Sequence, residues 1–270
     1  EGVDHVVLAG MGGSSLAPEV IAATAGVELV TLDTTDAEQV RSALAEKLDR
    51  TVLVVSSKSG TTVETDSHRR IYEQAFADAG IDADTRIVVV TDPGSPLAAA
   101  AAEAGYRAVF EADPHVGGRY SALTAFGLVP AGLAGADIAT LLDEAAAAAP
   151  GLGADSAENP ALRLGALLGL AHEAGSEKVV IADHRGGIPG FGDWAEQLIA
   201  ESTGKLGRGL LPVVVESTAA PGFADAGRDA VLVTIGEPDE SHVAPSGFSA
   251  AVGGPLGAQL LLWEYAIPVA

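Results

Sequence analysis

The chain of 270 residues contains no cysteine. This absence excludes a disulfide scaffold, a thiolate metal site and a cysteine nucleophile. The sequence also lacks a run of about 18 apolar residues without a charge, so it predicts no transmembrane helix. Its first residues carry no basic stretch of the kind that opens a secretory signal. Together these absences favour a cytoplasmic protein.

Positively charged residues are scarce. Lys and Arg number 15 against 37 Asp and Glu, which gives a net charge of −22. Such a field repels nucleic acid and anionic membranes, so neither is expected as a partner. An anionic ligand would be repelled too, unless its site were locally positive or rich in backbone and hydroxyl donors. The acidic excess is equally compatible with a high-salt habitat and with a high-GC coding bias.

The first half of the chain alternates between strand and helix patterns. Apolar runs predict five strands, at residues 5–10, 28–33, 51–57, 86–92 and 107–112. Helical patterns lie between them, near residues 15–25, 36–47, 61–79 and 95–104. The strand runs are continuously apolar, which is typical of strands buried on both faces of a parallel sheet. This half therefore predicts a doubly wound α/β domain.

The second half begins with helical patterns and then returns to α/β. Helices are expected at 119–134, at 137–149 with an end at Pro150, at 160–174 and at 254–267. Strands are expected at 178–183, 210–216 and 229–235. The segment GLGADSAENP is the best linker candidate. The predicted organisation is an N-terminal domain (1–135), a helical linker region (136–175) and a C-terminal domain (176–270), with no convincing residue-level repeat between the halves.

A hydroxyl-rich segment, SSKSGTT, follows the third predicted strand and opens a helix. Ligands bind at the carboxyl ends of strands in open α/β sheets, and helix N-termini favour anions. After Ser56, the segment offers four further hydroxyl groups and one ammonium group, from Ser57, Ser59, Thr61, Thr62 and Lys58. A plainer interpretation is a capping box formed by Thr61 and Glu64. Four hydroxyls exceed what a cap needs, so we predict a phosphate site here.

The segment GMGGSS also follows a strand and opens a helix. Its glycines permit close approach of the backbone to a ligand. It lacks the G-x-G-x-x-G pattern of dinucleotide loops, because Ser15 stands where the last glycine would be. We therefore do not expect NAD binding.

The segment from Phe191 to Gly209 reads as an amphipathic helix with an ionisable residue on its apolar side. Its stripe repeats at helical spacing and comprises Phe191, Trp194, Ala195, Leu198 and Ile199. Glu201 continues that stripe, so its carboxylate is expected to project inward. A general base for proton abstraction from carbon needs a placement of this kind. The competing interpretation, of equal weight from periodicity alone, is a helix end with Glu201 reaching water. Gln197 precedes Glu201 by one turn and Lys205 follows it by one turn.

Four segments, in this order, resemble the phosphoglucose isomerase (glucose-6-phosphate isomerase) family: GMGGSSLAP, SSKSGTT, GGRYSALTAFG and EQLIAESTGK. The last part, GPLGAQLLLWEYA, resembles actinobacterial-type members. The resemblance covers nearly the whole chain and implies two sugar isomerase (SIS) modules with central parallel sheets. It implies interconversion of glucose 6-phosphate and fructose 6-phosphate through a cis-enediol intermediate, in a homodimer that uses no cofactor.

The resemblance also assigns residues. Glu201 matches the base that moves the proton between C2 and C1, and Arg119 matches the arginine that stabilises the enediolate. Gln197 matches a polar residue beside the substrate. The sugar and phosphate contacts fall on Gly13, Ser14, Ser57, Lys58, Ser59 and Thr62. No spacing of His, Asp and Glu suggests a metal site, so we expect metal-free chemistry.

Two expectations concern what the sequence does not supply. Family members usually continue past the last helix with a segment whose lysine reaches the active site, and this sequence ends at Ala270 without it. We therefore expect a fragment or trimmed form that binds sugar phosphate and isomerises it poorly. Ring opening needs a further acid/base, for which His242 is the first candidate and His184 the second.

Two other function classes stay open from the sequence. A non-catalytic SIS module that binds or senses a sugar phosphate would share SSKSGTT but would not need Arg119, Gln197 and Glu201 together. The other class is a structural role, as a partner in a larger assembly, and only the missing terminal segment supports it.

Overall fold

The computed structural model describes residues 2–270, and the chain divides into two compact units, 1–138 and 139–270. The first unit contains five strands: β1 (His5–Ala9), β2 (Val30–Leu32), β3 (Thr51–Ser56), β4 (Ile87–Thr91) and β5 (Ala108–Glu111). Its helices are α1 (Leu16–Ala25), α2 (Ala37–Ala45), α3 (Val63–Asp78), α4 (Pro96–Ala104) and α5 (Ala125–Ala134). The strands form one sheet in the order β2-β1-β3-β4-β5, and every pairing is parallel.

Alternate residues of these strands face two separate layers of core. On one face, Val7, Leu53 and Val89 pack with Tyr72 and Phe76 of α3 and with buried residues of α2 and α4. On the other face, buried residues of the same strands pack with Phe126 of α5. Because both faces are covered, β1, β3 and β4 are buried along their whole length, which explains their continuous apolar pattern. The edge strand β5 is largely exposed. The five predicted strands and the doubly wound arrangement are confirmed.

The strand order reverses between β1 and β3, which makes this pair the topological switch point of the first sheet. Ala9 pairs with Val55, so the two strands end at neighbouring positions on the same edge. In open α/β sheets the crevice outside a switch point is where ligands bind. The segments GMGGSS and SSKSGTT begin at these two strand ends.

The second unit contains α6 (Ile138–Leu152), α7 (Pro160–Glu173), β6 (Lys178–His184), α8 (Phe191–Thr203), β7 (Leu211–Val215), β8 (Ala230–Gly236), β9 (Ser249–Val252) and α9 (Leu256–Ala266). Its parallel sheet has the order β7-β6-β8-β9. The ring of Phe191 packs against Trp194 (centroids 5.1 Å apart) and Trp263 (6.0 Å). The predicted apolar stripe of α8 is fully buried and thus confirmed.

Several element boundaries differ from the sequence prediction. The strand β9 was not predicted, because its sequence SAAV is short and carries few residues with high strand propensity. The helix expected to end at Pro150 continues to Leu152, since proline removes only one bond of the last turn. The helix expected from residue 119 begins at Ala125, after a 3₁₀ turn at Gly118–Tyr120.

The linker candidate GLGADSAENP joins α6 and α7 within the second unit. Asn159 organises this connection: its amide donates to the carbonyls of Leu152 (2.8 Å) and Ala154 (2.9 Å), and its side-chain oxygen caps α7. The proposed domain limits stay a prediction. None of the helices in residues 2–270 combines the length and the apolar character that a bilayer span requires.

Candidate active site

The segment from Ser57 to Thr62, which we call the phosphate loop, joins β3 to α3. Its hydroxyl groups form two pairs: Ser57 with Thr62 (3.0 Å between oxygens) and Ser59 with Thr61 (2.9 Å). The N–H of Gly60 donates to Ser57 Oγ at 3.2 Å, which tightens the loop. Ser57 is buried, whereas Ser59 and Thr61 are exposed. The loop therefore gathers the four predicted hydroxyls at the first turn of α3.

The helix α3 begins without a side-chain cap. Its N-cap residue is Thr62, and the Thr62 side chain accepts no hydrogen bond from the helix. The alternative interpretation, a capping box of Thr61 and Glu64, is thus wrong, because the Thr61 hydroxyl pairs with Ser59 instead. Uncapped N–H groups at a helix N-terminus, together with the helix dipole, are suited to holding an anion.

This absence of a cap is specific to the switch point. Within the described part of the first unit, α2, α4 and α5 are capped by the side chains of Asp36, Ser95 and Thr124. The two helices that start at the switch point, α1 and α3, have no side-chain cap. Capping adds about 1 kcal/mol, so both helices give up stability at the place where ligands bind in this fold.

Lys58 does not project a free ammonium group into the loop. Its Nζ donates to Asp92 Oδ2 at 2.6 Å and to the carbonyl of Pro114 at 3.1 Å. The charge of Lys58 is therefore balanced by Asp92 at the end of β4. A cavity of about 440 Å³ borders the other side of the phosphate loop and is lined in part by Arg69 and Arg70, whose guanidinium groups both pair with Asp66.

The segment GMGGSS forms a 3₁₀ turn at Gly12–Ser14 directly after β1. Asp33, at the end of β2, holds this turn: its Oδ2 accepts from the N–H of Gly12 (3.1 Å) and from the hydroxyl of Ser15. Ser14 is buried. Asp33 was not identified from the sequence, although it follows a predicted strand and could have been found by examining every strand end.

Gly13 brings the first loop against the GGRYS segment. A Cβ atom on Gly13 would lie 2.4 Å from the carbonyl oxygen of Gly118 and 3.1 Å from the backbone nitrogen of Arg119. Within the second segment, Ser121 donates to the carbonyl of Gly118 at 2.5 Å and so holds that carbonyl in place. Arg119 is half-buried, and its guanidinium carbon lies 5.2 Å from the centre of the Tyr120 ring. The first unit therefore brings Gly13, Ser14 and Arg119 together.

In the second unit, Glu201 lies in the last turn of α8 and is exposed. The expected inward projection is wrong, because the helix extends past its apolar packing before Glu201 is reached. Gln197 Nε2 donates to Glu201 Oε1 at 3.0 Å. Gln197 Oε1 is shielded from solvent and has no hydrogen-bond partner among the described residues. Lys205 donates to the carbonyl of Glu201 at 2.7 Å, so it caps the end of α8.

The two histidine candidates occupy different environments. His242 Nδ1 lies 2.8 Å from Asp239 Oδ2, and its ring packs edge-on against Phe223. Hydrogen bonds from Ser241, Thr218 and His242 lower the pKa of Asp239 well below its usual range. His184 is the last residue of β6, and its backbone carbonyl accepts from the N–H of Glu237. Within residues 2–270, no group of three His, Asp or Glu side chains could hold a metal ion.

The chain contains two sheets of parallel strands connected by helices, and a hydroxyl-rich loop lies at the switch point of the first sheet. These features define a protein of the SIS-type fold. Solved structures agree: a hypothetical protein from Thermus thermophilus superposes with a TM-score of 0.83 at 26% identity, over 98% of this chain and 78% of that one. A glucose-6-phosphate isomerase from Chlamydia trachomatis superposes with a TM-score of 0.81 at 19% identity, over 98% and 64% of the two chains.

The sequence comparisons identify the family. The family model described as phosphoglucose isomerase matches residues 1–230. A probable glucose-6-phosphate isomerase from Natronomonas pharaonis is 36% identical over 88% of this chain and 56% of that protein. A glucose-6-phosphate isomerase from a Cyanothece strain is 34% identical over 74% and 40%. The chain belongs to the phosphoglucose isomerase family, and it spans about half the length of the curated relatives it matches.

Proposed function

We propose that this chain carries the site of an aldose–ketose isomerase that interconverts glucose 6-phosphate and fructose 6-phosphate. The observation that carries the proposal is the family match over residues 1–230, a span that includes the phosphate loop, Arg119, Gln197 and Glu201. The proposed assignments of individual residues come from the resemblance of their segments to that family. A homodimeric state and an actinobacterial affinity stay predictions of the same resemblance, and a cytoplasmic location stays a prediction from the sequence composition.

The phosphate loop supports binding of the phosphate group. An uncapped helix N-terminus supplies backbone donors, and four hydroxyls surround it. Such a site holds an anion through directed hydrogen bonds rather than through net positive charge. This matters because a net charge of −22 opposes the approach of any anionic substrate. In this proposal Ser57, Ser59 and Thr62 contact the phosphate group.

The isomerisation needs one proton to leave C2 of the open-chain aldose and one to arrive at C1. In the proposal the Glu201 carboxylate takes the proton from C2, which forms the cis-enediolate, and returns it to C1. The hydroxyl proton on the C2 oxygen passes to the C1 oxygen, which completes the conversion to the ketose. The hydrogen bond from Gln197 orients that carboxylate. Arg119 stabilises the negative charge on the enediolate oxygens, a contribution of about 3–4 kcal/mol for such preorganised groups. The unpartnered Gln197 Oε1 is available to accept from a sugar hydroxyl.

One observation favours the second candidate, a non-catalytic sugar-phosphate binding module. Glu201 is exposed, whereas carbon-acid chemistry gains most from a base in a site that excludes water. A binding module would hold glucose 6-phosphate without moving the C2 proton. Binding and proton exchange must therefore be measured separately.

Exchange of the C2 proton of glucose 6-phosphate with deuterated water, followed by NMR, tests the proposal and detects slow turnover. We expect the chain to exchange this proton and Glu201→Gln to lose more than about nine-tenths of the rate, because the isosteric amide keeps the shape and removes the base. The matched control is Glu196→Gln, an exposed carboxylate on the same helix, which should keep the wild-type rate.

Calorimetry with glucose 6-phosphate completes the test. Binding that survives in Glu201→Gln assigns the loss to chemistry. If the wild-type chain binds the sugar phosphate and exchanges no proton, the binding-module function is the correct one. If Glu201→Gln exchanges as fast as wild type, another group is the base.

A further inference from the structure

The turn between β4 and α4, residues Thr91–Ser95, packs against the back of the phosphate loop. Thr91 is fully buried and Ser95 nearly so. A Cβ atom on Gly60 of the loop would lie 2.9 Å from the backbone nitrogen of Leu97 and 3.0 Å from Ser95 Cβ. The start of α4 thus leaves no space behind the loop. Neither Thr91 nor Ser95 has a role in the proposed chemistry.

A series of hydrogen bonds through two hydroxyl groups joins α4 to the phosphate loop, and every bond in it donates toward the loop. Thr91 Oγ1 donates to the carbonyl oxygen of Ser57 at 2.7 Å. Because a hydroxyl has a single proton, Thr91 must accept at its 2.7 Å contact with Ser95 Oγ, so Ser95 donates there. Ser95 Oγ in turn accepts from the N–H of Ala98 at 3.0 Å, as the cap of α4. The bonds therefore run from the helix to the Ser57 carbonyl, and each polarises the next.

The next peptide group of the loop is held in the same way. The N–H of Asp92 donates to the carbonyl of Lys58 at 3.3 Å, and the Lys58 ammonium group returns to Asp92. Two successive carbonyls, those of Ser57 and Lys58, are thus fixed on the β4 side of the loop. In a trans peptide the N–H points away from the preceding carbonyl. The N–H groups of Lys58 and Ser59 therefore point away from β4, and neither has a protein acceptor among residues 2–270.

We propose that Thr91 and Ser95 are positioning residues that orient the Lys58 and Ser59 N–H groups toward the phosphate of the bound sugar. This inference rests on the proposed function, and it identifies Thr91 and Ser95 as the residues that hold the phosphate loop in its binding conformation. It also gives Lys58 a definite part: its main-chain N–H meets the anion, while its ammonium group ties β3, β4 and the segment at Pro114 together. Thr91 acts through the Ser57 peptide and does not touch the substrate.

The test replaces Thr91 by valine, which keeps the shape and removes the donor. We expect the Kd for glucose 6-phosphate, measured by calorimetry, to rise by up to about tenfold, the equivalent of one hydrogen bond. Thr91→Ser restores the hydroxyl and should restore the affinity. Amide NMR signals of Lys58 and Ser59 should shift in Thr91→Val even without ligand, because their peptide groups lose their anchor.

Thr51 provides a matched control at the opposite end of β3. It is also fully buried, and its hydroxyl donates to the carbonyl of Lys47 at 2.9 Å. Thr51→Val should lower thermal stability about as much as Thr91→Val and leave the Kd unchanged. Should Thr91→Val fail to fold, Ser95→Ala replaces that variant in the test, because it removes the second hydroxyl of the same hydrogen-bond series.

The outcomes separate this inference from the proposed function. Wild-type protein that does not bind glucose 6-phosphate overturns both. Wild-type binding with an unchanged Kd in Thr91→Val overturns this inference alone. An equal rise of the Kd in Thr91→Val and Thr51→Val assigns the effect to general destabilisation and also overturns it.

Discussion

His68 is a buried histidine on α3, outside the candidate site. Its imidazole is almost inaccessible to solvent, and Nδ1 has no hydrogen-bond partner among the described residues. Burial lowers the pKa of His68 below 6.5, although a bond to the Thr34 carbonyl and the nearby charges of Glu64 and Asp33 oppose that shift. The folded protein therefore holds His68 in its neutral form to a lower pH than the unfolded chain does.

This difference predicts a pH-dependent stability. Below about pH 6.5 the unfolded state binds the proton and the folded state does not, so the free energy of unfolding falls as the pH falls toward the folded pKa, by at most about 1.4 kcal/mol per pH unit. Urea denaturation between roughly pH 5 and 7.5 measures the slope. His68→Gln should flatten this slope. Identical slopes in wild type and His68→Gln would contradict the prediction.

Single residues of the site were predictable to different degrees. The hydroxyl cluster from Ser57 to Thr62 follows from its residue types and its place after a strand. The exposure of Glu201 does not follow, because helical periodicity gives the direction of a side chain and not the depth of the packing around it. Thr91 and Asp33 were missed because their importance lies in the contacts they make across strands far apart in sequence.

At the scale of elements, the contact between the GMGGSS turn and the GGRYS turn joins two parts of the candidate site. It requires glycine at position 13, because any side chain there would overlap the Gly118 carbonyl. Gly13 has no positive φ, so the requirement is one of space and not of backbone conformation. Displacement of the second turn would move Arg119 with it.

In the proposed proton-exchange reaction, Gly13→Ala should therefore lower the rate by at least about tenfold, since misplacing a catalytic group by about 1 Å can cost more than that. The neighbouring Gly118→Ala is the control, because a Cβ there would meet no atom within 4 Å. Steady-state rates and thermal denaturation of both variants check the prediction. Full activity in Gly13→Ala would mean that the two turns adjust without consequence for Arg119.

The elements themselves were predicted correctly where the pattern was long and strong. Continuous apolar runs such as Thr51–Ser56 locate the buried strands, and the stripe of α8 locates its packed face. Errors fall where local preference is weak or overridden. Packing carries α6 past Pro150, and the strand β9 consists of small residues stabilised by pairing with β8.

At the scale of the whole molecule, the net charge of −22 is distributed over only 270 residues. Charges of one sign repel each other more in the compact state than in the expanded one. Salt screens this repulsion, and the screening length falls from about 10 Å at 0.1 M to about 3 Å at 1 M. The acidic excess should therefore make stability depend on ionic strength.

We expect the Tm to rise as sodium chloride is increased over this range, by about 2–4 °C for each kcal/mol of repulsion removed. Scanning calorimetry measures the change. Choline chloride at equal ionic strength is the control, because screening does not depend on the identity of the cation. A Tm that stays constant, or that responds to sodium alone, would argue against self-repulsion.

The two sheets share one strand order. In each, the first strand lies beside the second on one side and the third on the other, and the fourth follows the third. The sequence shows no residue-level repeat, because the loops after equivalent strands differ in chemistry. The phosphate loop follows β3, whereas its topological equivalent after β8 contains the acidic residues Glu237, Asp239 and Glu240. An anion site is accordingly expected at only one of the two positions.

The separation of the two sheets along the chain has a consequence during protein synthesis. Every strand of the first sheet lies between residues 5 and 111, and every strand of the second lies between residues 178 and 252. The ribosome thus releases all pairing partners of the first sheet before it makes any strand of the second. Domains fold as units, N-terminal first, at about 5–20 residues per second of translation. The phosphate loop is therefore able to form on the nascent chain while the helix that carries Glu201 is still unmade.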